Sequence, residues 1–194
     1  MGLLVMILGL ILFFGVHTLT TQRELRGRFV AVMGEGGYKI GYALVSIAGL
    51  ALVVRGFADY RATGWIDIWN PPKAFKHITV ALMLPAVILV VASYIRGRIY
   101  TTLKHPMLTG IKLWAAGHLL ANGDLGSIIL FGSFLAWAVF DRISLKRRPD
   151  AGAPPIQVGG PSNDLIAIAV GIVAYLALAF AFHPAVIGVP VVGV

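Results

Sequence analysis

The chain contains no cysteine, and that absence removes whole classes of chemistry. There is no disulfide, no thiolate nucleophile, no Cys-ligated iron–sulfur cluster and no covalent c-type haem. Charge is scarce too: 12% of the 194 residues are charged and only eight are acidic. Those eight lie outside the apolar runs or at their ends. A proton-relay transporter places Asp or Glu inside its spans, so the pattern argues against one. No HExxH, P-loop, dinucleotide fingerprint or Ser/His/Asp arrangement occurs, which removes the usual signatures of zinc hydrolysis, nucleotide chemistry and acyl transfer. Any metal chemistry must rest on histidine, carboxylate or backbone.

What is abundant is apolar sequence. With 58% hydrophobic residues and a mean hydropathy of +0.87, the chain reads as a polytopic membrane protein whose immediate partner is lipid. The formal charge of +8 does not point to nucleic acid, because the basic residues sit in short blocks between apolar runs. Those runs cover about 2–20, 38–58, 77–95, 107–121, 125–141 and 164–183, most of them near the length that crosses a bilayer core. The expected fold is an all-α transmembrane bundle of about six spans, the fourth short. A single domain over 1–194 is expected, with the Pro/Gly-rich stretch 149–163 as a flexible linker before the last span.

Arg23, Arg26, Arg28 and Lys39, then Arg96, Arg98 and Lys104, then Arg142, Lys146, Arg147 and Arg148 fall on one side of this arrangement. Arg55, Arg61, Lys73 and Lys76 fall on the other. The excess places both termini outside the cytoplasm. The first run has no basic n-region and no clear small-x-small site, so it reads as a retained span, and a bacterial inner membrane is the default location. The outer stretch 59–76, with Tyr60, Trp65, Trp69 and Pro71-Pro72, suits a lid at headgroup level. Gly2, Gly9 and Val16, Ser46, Gly49 and Gly56, and Gly171 and Ala179 recur at helix-packing intervals. Pro85 lies mid-span, where it either kinks the helix or is tolerated.

The most informative stretch is Lys104–Asp124, KHPMLTGIKLWAAGHLLANGD. Lys112 and His118 lie inside an apolar helix, where ionisable groups need a partner. Trp114 and His118 share a face, and Gly110 and Gly117 leave room for a close approach. Lys112 reads as a snorkelling cation or as the partner of an anionic group. Asn122-Gly123 forms a tight turn into the next span. Of the five histidines, His17 and His118 lie deepest in apolar sequence and read as ligands or specific hydrogen-bond partners. His105, before Pro106, reads equally as a helix entry or a binding residue. His77 and His183 sit at span ends, where an interfacial histidine needs no further role. Neutral imidazoles presented by membrane helices suit haem iron.

The segments GVHTL at Gly15–Leu19, GEGGYKIGYALVS at Gly34–Ser46, Lys104–Asp124 and FLAWAVFDR at Phe134–Arg142 resemble the NnrU family of bacterial membrane proteins. The pattern is specific: His105-Pro106, then Gly110, Trp114 and His118 at intervals of four, then Asn122-Gly123. NnrU-type proteins take their name from genes that accompany nitrite and nitric oxide reductases. The domain also resembles that of the plastid 15-cis-zeta-carotene isomerase, a haem b protein with two histidine ligands. Carried over by position, the resemblance implies haem b with His17 and His118 as ligands, with Trp114, Lys112 and His105 nearby. A cysteine implicated in that isomerase's ligand exchange is matched here by Ala115. In a simple six-span layout His17 lies near the inner face and His118 toward the outer end. Tilt or partial re-entry of the short fourth helix reconciles the depths, while an outer group of His77, His118 and His183 is the physical competitor.

Three functions follow as expectations. One is a haem-containing accessory or electron-transfer protein working with the nitrite and nitric oxide reductase system. The second is a cis–trans isomerase of a polyene, and the third a histidine-lined transporter without haem. Topology is open to a direct test, since a chain without cysteine accepts single reporter thiols. We expect Arg147→Cys to react with an impermeant maleimide only from the cytoplasmic side and Asp67→Cys only from the other, and the opposite labelling would reverse the orientation.

Overall fold

A bilayer core offers no water to backbone groups, so a chain this apolar satisfies them within helices. The computed structural model describes residues 1–148 and 157–191. Its helices are α1 (Gly2–Thr21), α2 (Arg23–Thr63), α3 (Lys73–Ala92), α4 (Arg98–Leu103), α5 (Pro106–Ala121), α6 (Leu125–Arg147) and α7 (Pro161–Ala177), which continues as a π-helix (Leu178–Ile187). Among the described residues no strand forms beyond a single β-bridge between Asp67 and Asp124. Five helices are long and apolar enough to cross a membrane: α1, α2, α3, α6 and α7 with its π-helical extension. The 16 residues of α5 make it the short fourth segment. Leu4, Ile11, Ile47, Val54, Leu165 and Val173 are exposed, as lipid-facing side chains would be.

Contacts within the chain group it into two compact units, Met1–Asn70 with Gly123–Ser133, and Pro71–Asn122 with the chain from Phe134 on. In the first, α1 packs along α2. Lipid supplies no hydrophobic drive for helix pairing, so close approach has to supply the contact energy. A Cβ on Gly9 would lie 2.6 Å from the Gly49 carbonyl oxygen, and one on Gly49 would lie 2.8 Å from the Phe13 amide nitrogen. The small-residue stripe is therefore helix packing. The polar stretch 23–33, which hydropathy alone leaves between spans, is helical as well. Glu24–Arg28 at 2.7 Å, Glu35–Arg26 at 3.1 Å and Glu35–Lys39 at 3.4 Å tie the polar turns of α2 together. It joins the apolar part of α2 through a bend at Gly34, whose φ of 73° and ψ of 163° only glycine adopts without strain.

At the other end of α2, Tyr60 is a core residue, 1% exposed, with its ring against Gly126. Its hydroxyl accepts the Ile66 N–H at 3.1 Å. The following loop is pinned to the start of α6: Ile68 N–H and Trp69 N–H donate to the Gly123 carbonyl, and Leu125 N–H donates to that of Ile66. Asp124 is fully buried and accepts the Ser127 N–H at 2.8 Å, which caps α6. Its sequence position suggested an ordinary boundary charge.

In the second unit α3 packs against both α5 and α7. The room left by Gly110 and Gly117 is taken by α3 itself: a Cβ on Gly110 would meet the Ala86 carbonyl oxygen at 2.7 Å, and one on Gly117 the Met83 Cε at 2.6 Å. Thr79 Oγ1 lies 2.6 Å from the Gly117 carbonyl oxygen and is its donor. Gly171 seats α7 on Ile88 of α3, and Pro85 is absorbed without interrupting α3. Of the stretch expected as a linker, 149–156 lies outside the described residues. Residues 157–160 are irregular, and Pro161 already opens α7. This entry is tied down, because Gly159 N–H and Asn163 Nδ2 donate to the Arg96 carbonyl at 2.8 and 2.9 Å. Asp164 accepts from the amides of Arg98 and Ile99, the first donors of α4, at 2.9 and 3.0 Å.

The α1–α2 packing gives a paired stability prediction. A side chain on Gly49 meets backbone, whereas Gly15 has nothing within 4 Å of an added Cβ. Gly49→Leu is expected to cost at least about 1–3 kcal/mol and to lower the melting temperature in detergent by several degrees, while Gly15→Leu leaves it within a degree or so. Equal losses in thermal-shift measurements would contradict the packing described.

Candidate metal centre

An imidazole becomes a metal ligand when one ring nitrogen is held in a fixed direction and the other keeps its lone pair. His17 meets the first condition from within α1. Its Nδ1 lies 2.6 Å from the Phe13 carbonyl oxygen, four residues earlier. A carbonyl oxygen only accepts, so Nδ1 carries the proton and Nε2 retains its lone pair. The ring stacks on Phe13 with centroids 4.0 Å apart and planes 28° from parallel, and Tyr42 of α2 lies 5.2 Å away. The ring is half-buried.

His118 repeats this arrangement on α5. Its Nδ1 lies 2.8 Å from the Trp114 carbonyl oxygen, so its proton is placed by the same reasoning. The Trp114 ring lies 5.3 Å from the imidazole and meets Phe134 edge-on at 5.3 Å. The backbone is fixed here too. The main-chain N–H and the side-chain Nδ2 of Asn122 both donate to the His118 carbonyl, at 2.9 and 2.8 Å, and close the last turn of α5. His17 belongs to the first unit and His118 to the second.

The remaining candidates separate clearly. His105 is the residue before α5, with fully buried Pro106 at the first helical position. Because α5 is continuous, His105 lies roughly 20 Å along the axis from His118, so the two do not share a centre. Partial burial, reinforced by Arg142, Lys104 and Arg148 against the opposing Asp141, holds the His105 pKa below its ordinary value and keeps that ring neutral near pH 7. Lys112 is half-buried, two residues on from the Gly110 that faces α3 and so roughly 200° around the helix. His77 is exposed.

Of the outer trio of histidines, the structure brings two together. The rings of His118 and His183 have centroids 6.3 Å apart and planes 32° from parallel, while His77 is not with them. The pairing of His183 with His118, 65 positions away, is the part of that competing outer group that the structure shows. The available signal was its setting, an apolar run closed by a second His-Pro dipeptide, His183-Pro184. Among the described residues, no group of three or more His, Asp or Glu side chains is spaced to hold a metal. Paired imidazoles without further donors fit an iron whose equatorial positions a macrocycle already fills.

No curated protein and no solved structure matches the chain. The family model described as NnrU protein matches residues 5–191, and on that match the chain belongs to the NnrU family of membrane proteins.

Proposed function

We propose that this chain is a haem b-binding protein of the bacterial inner membrane, with both termini outside the cytoplasm and with His17 and His118 as axial ligands. The observation that supports this reading is the shared preparation of the two rings. Each donates Nδ1–H to the carbonyl four residues back and lies against the aromatic ring at that same position. Fixing the tautomer in this way raises the basicity of Nε2 and removes the rotational freedom that ligation would otherwise have to freeze out. The Trp114 ring, itself edge-on to Phe134, lies 5.3 Å from the His118 imidazole. Lys112, six residues before His118 and so roughly 9 Å toward the inner end, supplies a cation for a propionate. His105 lies further along the same helix.

Bound haem would supply one-electron chemistry at iron, with pocket polarity and axial donors setting its potential. Held by these two imidazoles, such a haem would favour carrying or sensing electrons over binding substrate at the metal. The biological setting we propose is therefore an accessory role in nitrite and nitric oxide metabolism. Isomerisation of 15-cis-zeta-carotene ranks second, because Ala115, where the isomerase has a thiol, is fully buried and offers no donor.

The test is the reduced absorption spectrum of full-length protein produced with ample haem. We expect sharp low-spin bands in the wild type, their loss or conversion to a high-spin form in His118→Ala, and no change in His77→Ala. Folded wild-type protein without haem, or an unchanged His118→Ala spectrum, would refute the assignment. Co-expression with the enzymes that make 15-cis-zeta-carotene separates the two roles: that substrate should persist despite haem-loaded protein, and its conversion would establish the isomerase instead.

A further inference from the structure

His183 lies on the ten-residue π-helix that ends the last span. Long π-helical runs are rare, and π-helical turns concentrate at functional sites. Most of this segment faces outward: Phe180 is 60%, Phe182 44% and Val186 63% exposed. His183 is half-buried and turned toward His118, which is not how a histidine merely resting at an interface is placed. Two imidazoles bound on opposite sides of one metal ion, each with a metal–nitrogen distance of roughly 2 Å, have ring centres roughly 6 Å apart. The observed separation is 6.3 Å. Both rings belong to the second unit, and the backbone around each is held. The His118 carbonyl accepts from Asn122, and the His183 carbonyl accepts the Val189 N–H as the π-helix closes through Gly188, whose φ is 73°.

We propose that His183 is a third histidine able to ligate the haem iron, paired with His118 inside the second unit where His17 does not fill that role. The inference rests on the haem reading above and adds to it a second source for one ligand. In the exchange one iron–nitrogen bond, to His17, breaks and another, to His183, forms. Both donors are neutral imidazoles, so no electron, proton or further reactant is consumed. The consequence is a haem whose six-coordinate state survives the loss of His17, with altered pocket polarity and therefore a different potential.

Absorption and low-temperature electron paramagnetic resonance of the haem-loaded full-length protein test this with His17→Ala, His183→Ala and the double variant. We expect His183→Ala to remain low-spin through His17, and His17→Ala to remain low-spin with shifted resonances. The double variant should be high-spin, returning to low-spin on addition of millimolar imidazole, which shows that its pocket is intact. His183→Asn in the His17→Ala background should behave as the double variant does. A high-spin His17→Ala protein would overturn the role of His183 while leaving haem binding standing, and so would a double variant that stays low-spin without added imidazole. Wild-type protein that takes up no haem would instead overturn the reading beneath it.

Discussion

Within a bilayer nothing outside the protein satisfies a polar group, and several side chains answer that constraint locally, although the Tyr38 hydroxyl and Ser46 Oγ are buried without a hydrogen-bond partner among the described residues. Each deep histidine spends its Nδ1 proton on a carbonyl of its own helix. Thr79 gives its one hydroxyl proton to the Gly117 carbonyl at 2.6 Å, with the carbonyl of Phe75 on its own helix also within reach at 2.9 Å. The fully buried Asp124 turns a carboxylate oxygen to an amide at the start of α6. The cost of an unpaired group in hydrocarbon is several kcal/mol, so these bonds are not optional decoration. The same constraint that keeps the helices intact fixes the imidazole tautomers, with the proton on Nδ1.

Much of the fold was legible because hydropathy is a local signal. All six apolar segments fall on helices, the third running three residues past the end of α3 at Ala92, and the fourth is short, with 16 residues. The glycine stripes were legible as packing because small residues at that spacing have few other uses in lipid. Helix ends were less legible. Polar turns held by Glu24–Arg28 and Glu35–Lys39 extend α2 well before its apolar run, since ion pairs contribute nothing to hydropathy. Tyr60 is core because Gly126 admits its ring, a contact no local pattern announces. Asp164 is an ordinary first-turn acid in sequence, yet the amides it caps lie more than sixty residues away.

The candidate site shows the same division. His17 and His118 were marked by their depth in apolar sequence, and the structure adds the hydrogen bonds that prepare each ring. Gly110 and Gly117 were read as room for a close approach, and α3 fills that room, so any cofactor must lie against another face of α5. His183 reads as a span-end residue and, with His77 and His118, as part of a competing outer group. That His183 and not His77 meets His118 depends on how α7 and α5 each pack on α3, which is tertiary information. A donor set made of imidazoles, with no thiol among them, suits a metal that brings its own equatorial ligands. That chemistry unites the family assignment, the missing cysteine and the geometry of α5.

The central claim is that the chain carries haem b, and the most direct measurement is haem content per polypeptide. Full-length protein should be purified in mild detergent from haem-replete cells and its pyridine haemochrome compared with the protein concentration. The account predicts about one haem b per chain, released without covalent attachment because there is no cysteine to hold it. A monodisperse, folded protein with no haem would contradict it and return the histidines to packing, transport or partner binding.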